Sequence, residues 1–192
     1  MKKDKTDFLT LYRQADADGR FDLMMANFTK FPGIIKNAEV KTMYRIRSER
    51  EYLRSRSRDE LGVRVQGSGM ADTTSEEAMD ITAIKESFIT GKLPKAMLKG
   101  VEGAEEYLED IRTISLMHMD YELLQGIVAT LEENEAKLFR MHVVEGQFFK
   151  EIGDEDGRNM ETVRKRMQKL RNRLRDDMVE LLEINCRKDR RK

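Results

Sequence analysis

The stretch Leu131-Glu-Glu-Asn-Glu-Ala-Lys-Leu-Phe-Arg-Met141 leads through Gly146, Ile152 and Gly157 into Asn159-Met-Glu-Thr-Val-Arg-Lys-Arg-Met-Gln-Lys-Leu-Arg-Asn-Arg-Leu-Arg175. Short amphipathic segments are broken here by a glycine and a polar turn, which is the pattern of a helix-turn-helix. A first helix is expected from about Asn134 to Val144, with Leu138, Met141 and His142 or Val143 toward the core, and Gly146 ends it. Phe148, Phe149, Ile152 and Gly153 form a short second helix, in which Gly153 lets the next helix approach and Gly157 makes the turn. Asn159 caps a third helix whose apolar stripe, Val163, Met167, Leu170 and Leu174, is spaced by four, three and four residues.

That third helix carries the chemistry. Projected at about 100° per residue, Glu161, Lys165, Gln168, Lys169 and Asn172 lie opposite the stripe, with Thr162, Arg164, Arg166 and Arg171 on its flanks. From Arg158 to Arg175 there are eight basic residues and one acidic residue. Such a density repels itself unless phosphate or an acidic segment offsets it. A basic helix after a tight turn suits the major groove of double-stranded DNA. The candidate contacts are Arg158, Asn159, Glu161, Thr162, Arg164, Lys165, Gln168, Lys169 and Arg171. Arg164 or Lys165 can donate to guanine, Gln168 can pair with adenine and Glu161 can accept from cytosine. Arg158, Lys169, Arg171, Arg173 and the basic tail would meet phosphate.

The rest of the chain sets the class. Its 192 residues suit one domain or two small ones, and charged residues make up 38% of it yet cancel to a net charge of zero. Local charge, not total charge, therefore speaks of partners. Two prolines, no tryptophan and an abundance of Leu, Met, Glu, Lys and Arg favour helix nearly everywhere, so the expected fold is all-α. The single cysteine, Cys186, makes no intramolecular disulfide, and with no apolar run at the N-terminus a cytoplasmic setting is expected. No apolar stretch approaches the ~20 residues of a membrane-spanning helix, so no membrane role is expected.

Five segments are expected. Residues 1–62 form an N-terminal helical region, opening with a hairpin around Asp16-Ala-Asp-Gly19; after a break at Phe31-Pro-Gly33, a long helix over 34–58 becomes rich in arginine from Arg45 on. Residues 63–73 are a Gly/Ser loop, with Gly67-Ser-Gly69 as a hinge and Val63 and Val65 in a short extended piece. Residues 74–130 are a central helical region with an acidic face, whose first helix starts near Thr74 or Ser75 and stops about Thr90, before Gly91 and Pro94. Residues 131–183 form the helix-turn-helix domain and 184–192 a basic tail. From Val101 to Lys137 ten acidic residues face two basic ones, so the arginine-rich helix can lie against this acidic helix and mask its own charge.

Other chemistries lack their residues. Asp16-Ala-Asp-Gly19 has no glutamate at the closing position of a calcium loop, and Gly67-Ser-Gly69 has no following lysine and hydroxyl pair for a phosphate loop. His118 and His142 stand 24 residues apart without a ligand pattern, so no metal is expected and no cofactor either. With no nucleophile or paired carboxylates at a catalytic spacing, an enzyme is not expected.

Val144-Glu-Gly146, Glu151-Ile-Gly153, Gly157, Thr162-Val-Arg-Lys-Arg166 and the Leu170 to Arg175 pattern resemble the C-terminal promoter-reading domain of bacterial sigma factors. Upstream, Tyr52-Leu-Arg-Ser-Arg56, the run from Leu61 to Asp72 and Ala78 are similar to phage-type sigma-like regulators of Gram-positive bacteria, extending the resemblance over residues 44–180. The resemblance implies sequence-specific promoter binding in transcription, with RNA polymerase as a partner and Glu161, Thr162, Arg164 and Lys165 facing the promoter. The chain departs from true sigma factors in lacking the aromatic and acidic segment that melts the promoter, which implies an activator or accessory role. A single small module binds DNA weakly, so a homodimer, polymerase or the arginine-rich helix at residues 45–58 would supply a second contact. Two other classes share these features, a phage DNA-packaging adaptor and a polymerase- or sigma-binding interaction module.

Overall fold

The computed structural model describes residues 7–60 and 73–189, with side chains described for 7–56 and 77–183. Every regular element among the described residues is helical, and the fold is all-α. The α-helices are α1 (Phe8–Gln14), α2 (Ala17–Ala26), α3 (Phe31–Glu60), α4 (Thr73–Thr90), α5 (Ala104–Ala129), α6 (Glu133–Phe139), α7 (Phe149–Asp156) and α8 (Met160–Asp189). A single 3₁₀ turn at Lys95–Leu98 precedes α5, and a wide π turn at Arg140–Val144 extends α6. No helix among the described residues is long and apolar enough to cross a membrane. The Gly67-Ser-Gly69 hinge, the Val63 and Val65 piece, the side chain of Cys186 and the end of the tail lie outside the described residues, while α4 begins at Thr73, so Thr74 and Ser75, expected to cap it, stand inside its first turn.

The chain divides into two compact units, one made of residues up to Pro32 together with those from Met119 on, the other of Gly33–His118. In the first, the Asp16 side chain caps α2, accepting from the Gly19 N–H at 2.8 Å. This is the polar turn that the missing calcium-loop glutamate implied. Tyr12, Phe21 and Met24 are fully buried. A chain of rings runs through the unit, with Phe31 5.8 Å from Tyr12 and 5.2 Å from Tyr121, Tyr121 5.7 Å from Phe28, and Phe28 5.0 Å from Phe139. Residues 7–32 thus complete the core around the C-terminal helices, to which α2 contributes by packing on α8.

In the second unit Ile35, Thr42 and Ile46 of α3 are buried, as are Ile84 and Phe88 of α4 and Tyr107, Ile111, Ile114 and Met117 of α5. Gly91, at φ +69°, stops α4, and its N–H donates to the Ser87 carbonyl at 2.8 Å. The Ser115 hydroxyl donates to the Ile89 carbonyl at 2.8 Å, tying α5 to the end of α4.

Phe31-Pro-Gly33 differs from its expected role as a break. The helix includes all three residues, because proline in a first turn lacks only an N–H that no intrahelical acceptor would meet.

Candidate nucleic-acid interface

The interface is built by α6, the π turn, α7 and α8 of the first unit. Its local core is Met141, Ile152 and Val163, with Leu138 and Phe149 packed against them. The π turn widens the backbone, with the Glu145 N–H reaching the Arg140 carbonyl at 2.9 Å and the Gln147 N–H the Met141 carbonyl at 2.9 Å. Gly146 closes it in the left-handed region at φ +73°, where a side chain would be strained. The His142 ring stacks on Phe149 at 4.2 Å, and its Nδ1 lies 3.0 Å from the Gln147 carbonyl, so this histidine is a packing residue.

Helix α7 begins where the Glu151 carboxylate accepts from the Phe148 N–H at 2.7 Å, the reciprocal half of a capping box. It ends at Gly157, φ +63°, and a three-residue turn, Gly157-Arg158-Asn159, leads to α8. Asn159 caps α8 as expected, its Oδ1 accepting from the Glu161 N–H at 2.8 Å. A Cβ on Gly153 would stand 2.7 Å from the Arg158 carbonyl oxygen and 3.3 Å from the Met160 nitrogen. That is the close approach for which a glycine was expected there.

The stripe Val163, Met167, Leu170 and Leu174 is buried, and Met178 and Leu182 continue it. Arg158, Asn159, Glu161, Thr162, Arg164, Lys165, Gln168, Lys169 and Arg171 are all exposed. Arg166, which the candidate contacts omitted, is exposed among them. Arg164 lies 3.8 Å from Glu161, one turn earlier on the same helix. From Arg158 to Lys169 the exposed face thus carries five basic side chains and one acidic one.

Beyond Lys169 the helix is electrostatically different. Arg171 is 2.9 Å and Arg175 2.5 Å from Asp22 on α2, and Arg175 is 3.7 Å from Asp18. Arg173 makes a two-pronged contact with Glu135 of α6, at 2.9 and 2.6 Å, and this hydrogen bonding outweighs desolvation and holds its guanidinium further toward the charged form. The Arg175 guanidinium also sits 5.5 Å above the Phe21 ring. Three arginines of the basic run therefore have acidic neighbours in their own unit, and among the described side chains of α8 the positive surface is concentrated in its first turns. The signal for this was faint: Asp18 and Asp22 share one face of α2, but nothing in the linear chain places them beside a helix some 150 residues on.

Helix α7 adds a negative margin, since Asp154, Glu155 and Asp156 are exposed. Lys137 of α6 reaches Asp156 at 2.7 Å and Glu155 at 3.7 Å, and its hydrogen bond to Asp156 raises its pKa.

The arginine-rich part of α3 is largely engaged within the second unit. Arg45 contacts Glu106 at 3.0 Å and Asp110 at 3.4 Å on α5, as expected of a helix lying against the acidic one, and stands 4.8 Å over the Tyr107 ring. Arg50 and Arg54 reach Asp80 of α4 at 2.7 and 3.0 Å. No protein-family model, curated protein or solved structure matches the chain.

Proposed function

We propose that the chain is a sequence-specific DNA-binding transcription regulator of sigma-factor-like helix-turn-helix type, working in the cytoplasm, in concert with RNA polymerase and without catalysis. The observation that carries this reading is the first part of α8. The apolar stripe is buried, with Val163 packed on Ile152 of α7, while Arg158, Arg164, Lys165, Arg166 and Lys169 are all exposed just past a tight glycine turn. Arg164, Lys165, Gln168 and Glu161 are the base-reading residues in this account, and Arg158, Arg166 and Lys169 meet phosphates. The negative margin of α7 confines the approach of the duplex to the α8 side. With about three phosphates neutralised, the slope of log affinity against log salt is roughly −3.

The test is selection from a pool of random duplex DNA at two salt concentrations, beside an Arg164→Ala/Lys165→Ala variant. The proposal expects an enriched motif that the variant loses. Salt-sensitive binding with no enriched motif would remove sequence reading and leave a phosphate-contacting module.

A further inference from the structure

The outer face of α3 carries Val40, Tyr44 and Tyr52 at 47%, 72% and 61% exposure, while Ile35, Thr42 and Ile46 fill the opposite, inner face. Single exposed apolar residues are ordinary, but several in a row on one helix mark a surface that another body covers. With the exposed Ser48, these residues stand at a spacing of four along one ridge of the helix, the i±4 row that meets a second such row when two helices pack.

We propose that this face joins two copies of the chain as an antiparallel, two-fold symmetric helix pair centred on Ser48. The row is palindromic, with Tyr44 and Tyr52 each four residues from Ser48. A second copy running the other way about an axis at Ser48 sets Tyr44 of each copy beside Tyr52 of the other, so the surface is complementary to itself as a two-fold interface requires. Ser48 falls at the crossing, where a small side chain lets the helices close to roughly 8–10 Å between axes. The charges agree. Arg47 and Glu51 are exposed on the same side of the ridge, and the two-fold gathers two of each into one neutral cluster. The inference does not depend on the DNA-reading proposal, although a dimer would supply the second contact that a small DNA module needs.

The experiment uses the full chain, with sedimentation equilibrium over a wide range of concentration. Wild type reaches twice the mass of one chain, and Tyr44→Glu/Tyr52→Glu remains at the mass of one chain with an unchanged far-ultraviolet circular dichroism spectrum. If that variant loses helix, Ser48→Arg, which adds bulk only at the crossing, provides the same comparison. Register is read by disulfide trapping in a Cys186→Ser background. Ser48→Cys links to its own copy on oxidation, whereas Val40→Cys does not, because residues eight positions from the axis end about 24 Å apart. A single-chain mass at every concentration, a dimer that survives both variants, or trapping at position 40 and not at 48 would each overturn the proposal. Single-stranded oligonucleotide binding that needs Tyr44 and Tyr52, in a chain that stays monomeric, would assign the face to base stacking instead.

Discussion

Replacing Asp120 by alanine would take away the carboxylate paired with the buried Arg20 guanidinium. Arg20 is 8% exposed and Asp120 fully buried, with 3.8 Å between Nη1 and Oδ2, within ion-pair range and too long for a hydrogen bond. The same carboxylate accepts from the Tyr12 hydroxyl at 2.8 Å. Removing one member of a buried pair costs about 3–5 kcal/mol, and the loss of the Tyr12 hydrogen bond to the same carboxylate pushes toward the upper end of that range. For a chain of this length the loss corresponds to roughly 10–15 °C in melting temperature. Arg20→Leu carries a similar cost, since it takes a counter-charge from the buried carboxylate. The double change Arg20→Leu/Asp120→Leu removes both charges of the pair together and keeps the Tyr12 hydroxyl within reach of the Met24 sulfur at 3.6 Å, so it should cost only about 1–2 kcal/mol. Urea denaturation of the four proteins closes the cycle. Costs of the two single changes that simply add in the double variant would refute the pairing, and with it the account of residues 7–32 as part of the C-terminal core.

The remaining predictions concern the interface and one carboxylate. Gly153→Val forces side-chain atoms onto the Arg158 carbonyl and should cost about 2–4 kcal/mol in a thermal melt, whereas Gly126→Ala, with open space around its Cβ position, should be neutral or stabilise by up to ~1 kcal/mol; equal effects would contradict the tight turn. Lys169→Ala should lower the salt slope of DNA binding by about one, while Arg171→Ala, whose charge Asp22 already offsets, should leave it nearly unchanged; the reverse order would remove the division of α8 into two electrostatic halves. Burial by itself would raise the pKa of Glu39, but hydrogen bonds from Lys36 at 2.9 Å and His118 at 2.7 Å outweigh it and hold the carboxyl below its ordinary value. A depressed carboxylate stabilises the fold above its unfolded pKa, and the contribution is lost as pH falls through the folded one. In a carbon-detected titration, His118→Leu should therefore move the Glu39 midpoint upward, and an unmoved midpoint would rule out the contact.

What the sequence reveals is local. Gly146, Gly157 and the Asn159 cap act on their own neighbours, and the spacing of Val163, Met167, Leu170 and Leu174 is fixed by helical geometry, so the ends of α7 and the buried side of α8 can be read without tertiary information. Phe31-Pro-Gly33 reads as a break because proline and glycine usually are, and only its place in a first turn reverses that. The π turn at Arg140–Val144 leaves no mark in propensity at all. Least legible are contacts between distant segments. The exposure of Arg171 follows from the helical projection, but its neutralisation depends on α2, and the burial of Arg20 depends on Asp120, a hundred positions on. Charge counting along the chain therefore overestimates the reach of the positive surface of α8.

The most direct test of the central claim is backbone amide chemical-shift mapping of the full chain, titrated with the duplex that selection enriches. The account predicts perturbations concentrated at Gly157-Arg158-Asn159 and over the first turns of α8 through Lys169, fading beyond Arg171. Shifts centred on the arginines of α3, with the start of α8 unmoved, would contradict it.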